Sequence, residues 1–184
     1  FAMVLLLGIP LRRFYGLGNV ITERHIDNLA KMMLAAGLFV DYSYLSEIFT
    51  AFYSGDPYDI AMTMQRFTGA YAWVFWTTIA CNVVAIQALW WPRLRHHHGV
   101  LFALGIVVLV GMWFERLMLI VSSLYRDFLP SSWGMFYPTL WDLAFLFGSI
   151  GLFFALFLLF VRVLPLVSMF ELRKLVHRHG GVAA

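Results

Sequence analysis

Four long, sparsely charged apolar runs decide what this chain can fold into. They cover residues 25–53, 68–91, 99–122 and 139–164. A helix needs about 20 mostly apolar residues to cross the roughly 30 Å hydrocarbon layer of a bilayer, and each run reaches that length. Inside lipid every backbone N–H and C=O must be satisfied within the structure, which a helix does within one segment. The chain therefore reads as an all-α membrane protein, with about four transmembrane helices forming a bundle. Charged residues are only 12% of the sequence, about half the usual share of a soluble domain, so it has too little polar surface to face water. Eighteen Phe, seven Trp and eight Tyr suit rings placed at headgroup level.

The runs are separated by clear breaks. Ser54-Gly55-Asp56-Pro57 ends the first, Trp90-Trp91-Pro92 the second, Pro130, Ser131 and Ser132 follow the third, and Pro165 follows the fourth; Pro and Gly interrupt helical patterns. The opening stretch 1–9 is apolar and ends at Pro10 and Arg12-Arg13. A signal peptide has its positive charge before the apolar region, so this stretch reads as the end of a preceding transmembrane helix. The chain is expected to be one part of a longer protein, with 10–24 as a cytoplasmic loop, 25–164 as the four-helix bundle and 165–184 as a cytoplasmic tail.

Lys and Arg in short loops set orientation. Arg12, Arg13, Arg24, Arg93, Arg95, Arg173, Lys174 and Arg178 fall on one side; Arg66 and Arg126 fall on the other, with Arg116 near its edge. The first side is expected to face the cytoplasm, and the aromatic-rich loops 54–67 and 123–138 to face out. The net charge of +3 forms no basic stripe, so no nucleic-acid surface is expected.

Ionisable residues within a span cost roughly 2.5–3.5 kcal/mol each on insertion scales, so each needs a reason. At about 1.5 Å per residue, Asp41 lies about 24 Å along its helix from His25, and Glu115 about as far from Gly99. Asp41, Glu47, Glu115, Arg116 and Asp142 fall in the middle or outer part of the bilayer; His25, Asp27 and Lys31 fall on the inner side. Asp41, Tyr44 and Glu47 share a helix face, and Asp27 and Lys31 form an i, i+4 pair. Two readings stand: a proton path through these groups, or interhelical pairing in which Glu115 meets Arg116 or a neighbouring helix and Asp41 meets a tyrosine.

His96-His97-His98 is a loop run, His177 and His179 lie in the tail, and His25 is at a helix end. With no mid-span pair to hold a b-type haem and no carboxylate or Cys beside the triple His in sequence, the run reads as a solvated basic loop. The one cysteine, Cys81, makes no internal disulfide and reads as a small core residue. The chain is expected to bind no metal and no prosthetic group.

Two stretches, 21–55 and 111–153, go further. Through His25, Asn28, Lys31, Tyr44, Glu47, Tyr53, Gly55, Glu115, Arg116, Arg126-Asp127-Phe128, Pro130-Ser131, Trp133 and Pro138, the chain resembles the polysulfide-reductase-type (NrfD-like) membrane subunits. The likeness is strongest to the pair of such subunits in alternative complex III, a bacterial quinol-oxidising complex. The resemblance implies a multi-pass protein of the bacterial inner membrane, corresponding to the second half of such a subunit. It implies quinol (menaquinol or ubiquinol) as the substrate of the complex. It also implies an iron–sulfur subunit and multihaem cytochromes with c-type haems on the outer side, and a second NrfD-like subunit alongside. Polar residues would carry protons. The competing readings are a structural anchor for soluble redox subunits, and a transporter; no pair of Gly/Pro-broken helices marks a transporter site.

The orientation yields a test. In a background with Cys81 replaced, a cysteine placed within 93–98 is expected to be labelled by an impermeant maleimide only from the cytoplasmic side, and one at Ser131 only from outside. Reversed labelling overturns the topology.

Overall fold

A computed structural model describes residues 1–125 and 129–163, and among them it is all-helical with no strand. The chain divides into two units, residues 1–134 and 135–184. In the first unit lie α1 (Ala2–Phe14), α2 (Glu23–Tyr53) and α3 (Pro57–Thr68). They are followed by α4 (Ala72–Trp90) and α5 (His98–Leu124). The second unit holds α6 (Leu140–Val163). By length and composition α4, α5 and α6 are each able to cross a membrane, so the chain has the helices of a multi-pass membrane protein.

The opening helix does not end at Pro10. It continues to Phe14 and carries Arg12 and Arg13 in its last turn, so part of 10–24 is helix. Proline removes one backbone donor and its ring crowds the preceding turn, which bends a helix without having to end it, and cations at a helix C-terminus are favoured by its dipole. The 54–67 loop is also largely helix: α3 starts at Pro57, and the Asp56 side chain accepts the Tyr58 N–H at 2.9 Å. Proline at the first helical position and an Asp cap are strong start signals.

In the first unit α1, α2, α4 and α5 share one core, built from Leu5, Ile26, Ala30, Met33, Leu34, Ile86, Leu89, Leu101 and Val108. A smaller cluster of Val74, Phe75 and Met118, backed by Phe67 and Phe114, joins α4 and α5 farther along. The arginine-rich end is held by ion pairs. Arg12 reaches Glu23 at 2.6 Å, and His98 reaches the other oxygen of the same carboxylate at 2.8 Å, so α1, α2 and α5 are tied at their ends. The Arg12 guanidinium, with help from His98, holds the Glu23 carboxyl below its usual range. His98 therefore is not simply part of a solvated loop: it opens α5 and meets a carboxylate brought from far away in sequence. Among the described residues no cluster of metal-binding side chains forms.

Two glycines set how close α4 comes to its neighbours. A Cβ on Gly37 of α2 would lie 2.7 Å from Ile86 Cγ2, and one on Gly111 of α5 would lie 2.6 Å from Cys81 Cβ and run into Asn82 Oδ1. Small residues allow this approach in membranes, where packing rather than water exclusion joins helices. In the second unit α6 begins with Asp142 accepting from the Thr139 N–H at 2.8 Å and its hydroxyl at 2.7 Å, a helix-start cap that places Asp142 in local structure. The proposed tail 165–184, with His177 and His179, and Arg126-Asp127-Phe128 lie outside the described residues.

Gly111→Ala is expected to destabilise the protein by about 1–3 kcal/mol, the usual cost of overpacking, while Gly8→Ala in the first unit, which meets nothing within 4 Å among the described residues, is not expected to destabilise it. Thermal unfolding in detergent checks both.

Candidate functional site

The site grows from two helical stripes that face each other. On α5 the buried positions are Leu101, Gly105, Val108, Gly111, Met118 and Val121. Glu115 stands four residues after Gly111 and three before Met118, on the same stripe. Arg116 is one position on, turned about 100° away; it is exposed and bonds to no described residue. The pairing of Glu115 with Arg116 that the sequence left open does not form. On α2 the buried stripe Ile26, Ala30, Met33, Gly37 runs on to Asp41 and Tyr44, both half-buried.

Where the stripes meet, the Tyr44 hydroxyl donates a short hydrogen bond to Glu115 Oε2. The third member comes from α4. Its residues Ala80–Val84 form a π-helical turn, closed by the Ala85 N–H to the Ala80 carbonyl. Val74 and Ile86, both buried, are twelve residues apart in sequence. An unbroken α-helix would rotate the second about 120° off the first; the π turn absorbs one residue and cuts that to about 20°. The same turn aims Asn82 inward. It is fully buried, and its Nδ2 donates to Tyr44 Oη at 3.2 Å and to Glu115 Oε2 at 3.4 Å. Asn82 Oδ1, packed against Gly111, has no hydrogen-bond partner among the described residues.

One turn away, Gln87 of α4 donates to Asp41 Oδ2 at 2.9 Å, and Trp90 Nε1 donates to Gln87 Oε1 at 2.8 Å. Asp41 thus meets a glutamine, not a tyrosine, and its Oδ1 is buried and unpaired among the described residues. Farther along, Arg66 of α3 pairs with Glu47, and a groove of about 400 Å³ opens beside them between α2 and α3.

The nine residues of the expected proton path therefore separate into groups. Asp41, Tyr44 and Glu115 gather with Asn82 and Gln87 in mid-bundle, and Glu47 is the next turn. His25 accepts the Thr22 N–H at 3.2 Å and closes the start of α2. Asp27 binds Lys31 at 2.6 Å and Arg95 at 3.2 Å. Between Asp27 and Asp41, about 21 Å along α2, the buried residues are Ala30, Met33, Leu34 and Gly37, so an apolar layer separates the two groups. A cleft of about 240 Å³ lies in that layer, lined by Met33, Gly37, Val40, Ile86 and Met112 with Asn82 at its edge. It is smaller than the roughly 300–1,000 Å³ of small-molecule sites. Asp142 belongs to the second unit, Arg116 to the surface.

Asn82, Gln87 and the π turn are what sequence reasoning missed. The readable signal was a lone Asn inside an apolar run, since an amide in a span needs a partner as a carboxyl does. No protein-family model matches this sequence, and no curated protein matches it.

If the three side chains act as one unit, Tyr44→Phe and Glu115→Gln will be non-additive. Each is expected to lower stability by about 1–3 kcal/mol, and the double variant to lose less than the sum by 0.5 kcal/mol or more, roughly the coupling of contacting residues. Additive losses in detergent unfolding would mean that the contact carries no energy.

Proposed function

We propose that this chain is a membrane subunit of a quinol:electron-acceptor oxidoreductase of the alternative complex III type. In this reading it crosses the bilayer four times and supplies a carboxyl group that exchanges protons. The Tyr44–Glu115–Asn82 contact carries the proposal. Glu115 bonds to a neutral phenol and an amide and to no cation among the described residues, so it is not committed to an ion pair and suits an acid–base group. Tyr44 and Glu115 also stand in the two separate stretches that carry the NrfD-like resemblance, and their contact joins those stretches.

The fourth crossing is α2. It is 31 residues long, about 46 Å, and its polarity is inverted relative to a soluble helix. Met32, Leu38, Phe39, Tyr42, Leu45, Phe49 and Phe52 are exposed, while Asp41 and Tyr44 turn inward. That arrangement suits lipid outside and polar contacts inside. The arginine-rich end then faces the cytoplasm of a bacterial inner membrane, and the α3 end faces out. There an iron–sulfur subunit and multihaem cytochromes would take the electrons of menaquinol or ubiquinol, with a second NrfD-like subunit alongside. The chain itself holds no redox group in this reading.

The apolar layer between Asp27 and Asp41 favours a second reading, in which the chain only anchors soluble redox subunits. The two readings differ in the variants Glu115→Gln and Asp41→Asn, placed in the assembled complex in proteoliposomes. The proton-handling reading expects intact assembly and quinol oxidation slowed on the order of tenfold or more, the scale of a lost acid–base group. Normal turnover with normal proton release in both variants leaves the anchor.

A further inference from the structure

The arginine-rich end of the bundle contains a depression of about 520 Å³ between the end of α1, the turn after it, and the starts of α2 and α5. Its charged walls are Arg12, Arg13, Glu23 and His98, and its apolar wall is Ile9 and Ile26. Glu23 is already shared between Arg12 and His98. Arg13 is exposed and bonds to no described residue. Two arginines against one carboxylate leave one unbalanced positive charge, equal and opposite to that of a phosphodiester. The fork of a guanidinium matches two phosphate oxygens, the volume is that of a small-molecule site, and the two isoleucines offer apolar surface beside the charge. Basic hollows between membrane helices on the cytoplasmic side are headgroup sites by the same physics.

We infer that this depression binds the phosphodiester headgroup of an anionic phospholipid, with Arg13 as its free anchor, Arg12 as the second cation, and Ile9 and Ile26 against the glycerol and upper acyl chain. The site needs only the membrane reading of the chain, not its redox chemistry. Because Arg12 is tied to Glu23, the lipid shares that guanidinium with the carboxylate, while Arg13 contributes only when a ligand is present. Occupancy would brace the point where α1, α2 and α5 meet.

The test uses the protein as purified from its membrane, reconstituted in nanodiscs of phosphatidylcholine with and without phosphatidylglycerol. The proposal expects the phosphatidylglycerol discs to raise the unfolding temperature and retain bound lipid through detergent extraction. Arg13→Gln is expected to weaken lipid retention about fivefold, the effect of one arginine near a membrane surface, and Arg13→Glu to abolish it; both should unfold normally in pure phosphatidylcholine. Arg93→Gln, an exposed arginine at the same end but outside the depression, should change nothing. An equal loss in Arg93→Gln would overturn the site in favour of a diffuse basic belt. Absence of any phosphatidylglycerol effect overturns it outright, and so does displacement of the lipid by millimolar inorganic phosphate, which would make the ligand a free anion. None of these readouts depends on quinol turnover, so the site stands or falls apart from the proposed activity.

Discussion

A carboxyl group well inside an apolar span must find partners there, because snorkelling to the interface is open only near the helix ends. Glu115 is seventeen residues from the start of α5 at His98 and nine from its end at Leu124, about 26 Å and about 14 Å of rise, so neither end is within reach of its side chain. The rest of the first unit is arranged around that demand. α2 brings a phenol, α4 brings an amide, and α4 must break its α-helical geometry to do so. The π turn requires space on the facing helix, which Gly111 provides. Tyr44, Asn82, Gly111 and Glu115 are therefore one device, and changing the shape of any of them disturbs three helices.

Much of this was legible in the sequence, and the divisions between what was and was not are physical. Three of the four expected spans are helices long and apolar enough to cross a membrane, legible because a bilayer imposes length and apolarity on each helix separately; the run at 99–122 differs from α5 by one or two residues at each end, and the run at 139–164 begins one residue before α6. The positions of Asp41 and Glu115 along their helices, about 24 Å from His25 and Gly99, follow from helix rise alone. That Glu115 rather than Arg116 faces the core was present in the spacing of Leu101, Gly105, Val108 and Met118. The partners were not legible. A π turn has no residue signature of its own, and it shifts the phase of everything after it, so the face on which Asn82 or Gln87 lies does not follow from a fixed 100° step. Pro10 and the α3 segment misled for the opposite reason: local stop signals were read as final, although a proline can sit within a helix or begin one.

Besides the Arg66–Glu47 pair, two groups of polar contacts in the first unit differ in their physics. At the basic end, Arg12–Glu23–His98 and Lys31–Asp27–Arg95 are ion pairs with partly exposed members. Arg12, His98, Lys31 and Arg95 each have a carboxylate at hand, and salt screens such pairs. In mid-bundle the contacts are between an acid and neutral donors: phenol, primary amides and an indole through Gln87. Neutral donors stabilise a carboxylate less than a cation does, and they tolerate the protonated form better. The first group fixes helix ends; the second joins helices through neutral partners in mid-bundle.

That difference bears on how protons would reach the mid-bundle group. The layer of Ala30, Met33, Leu34 and Gly37 on α2, facing Ile86 and Val108, offers no donor or acceptor side chain between Asp27 and Asp41. Toward the α3 end the situation is reversed. Glu47 is one turn beyond Tyr44 and bound to Arg66, beside the 400 Å³ groove with Ser46, Thr50, Asp59 and Thr63 on its walls. Among the described residues, polar side chains thus continue past Tyr44 toward the α3 end. Under the proposed function a proton at Glu115 has Asp41, Gln87 and Trp90 on its basic side and Glu47 with the groove on the other, and the apolar layer of α2 lies beyond Asp41.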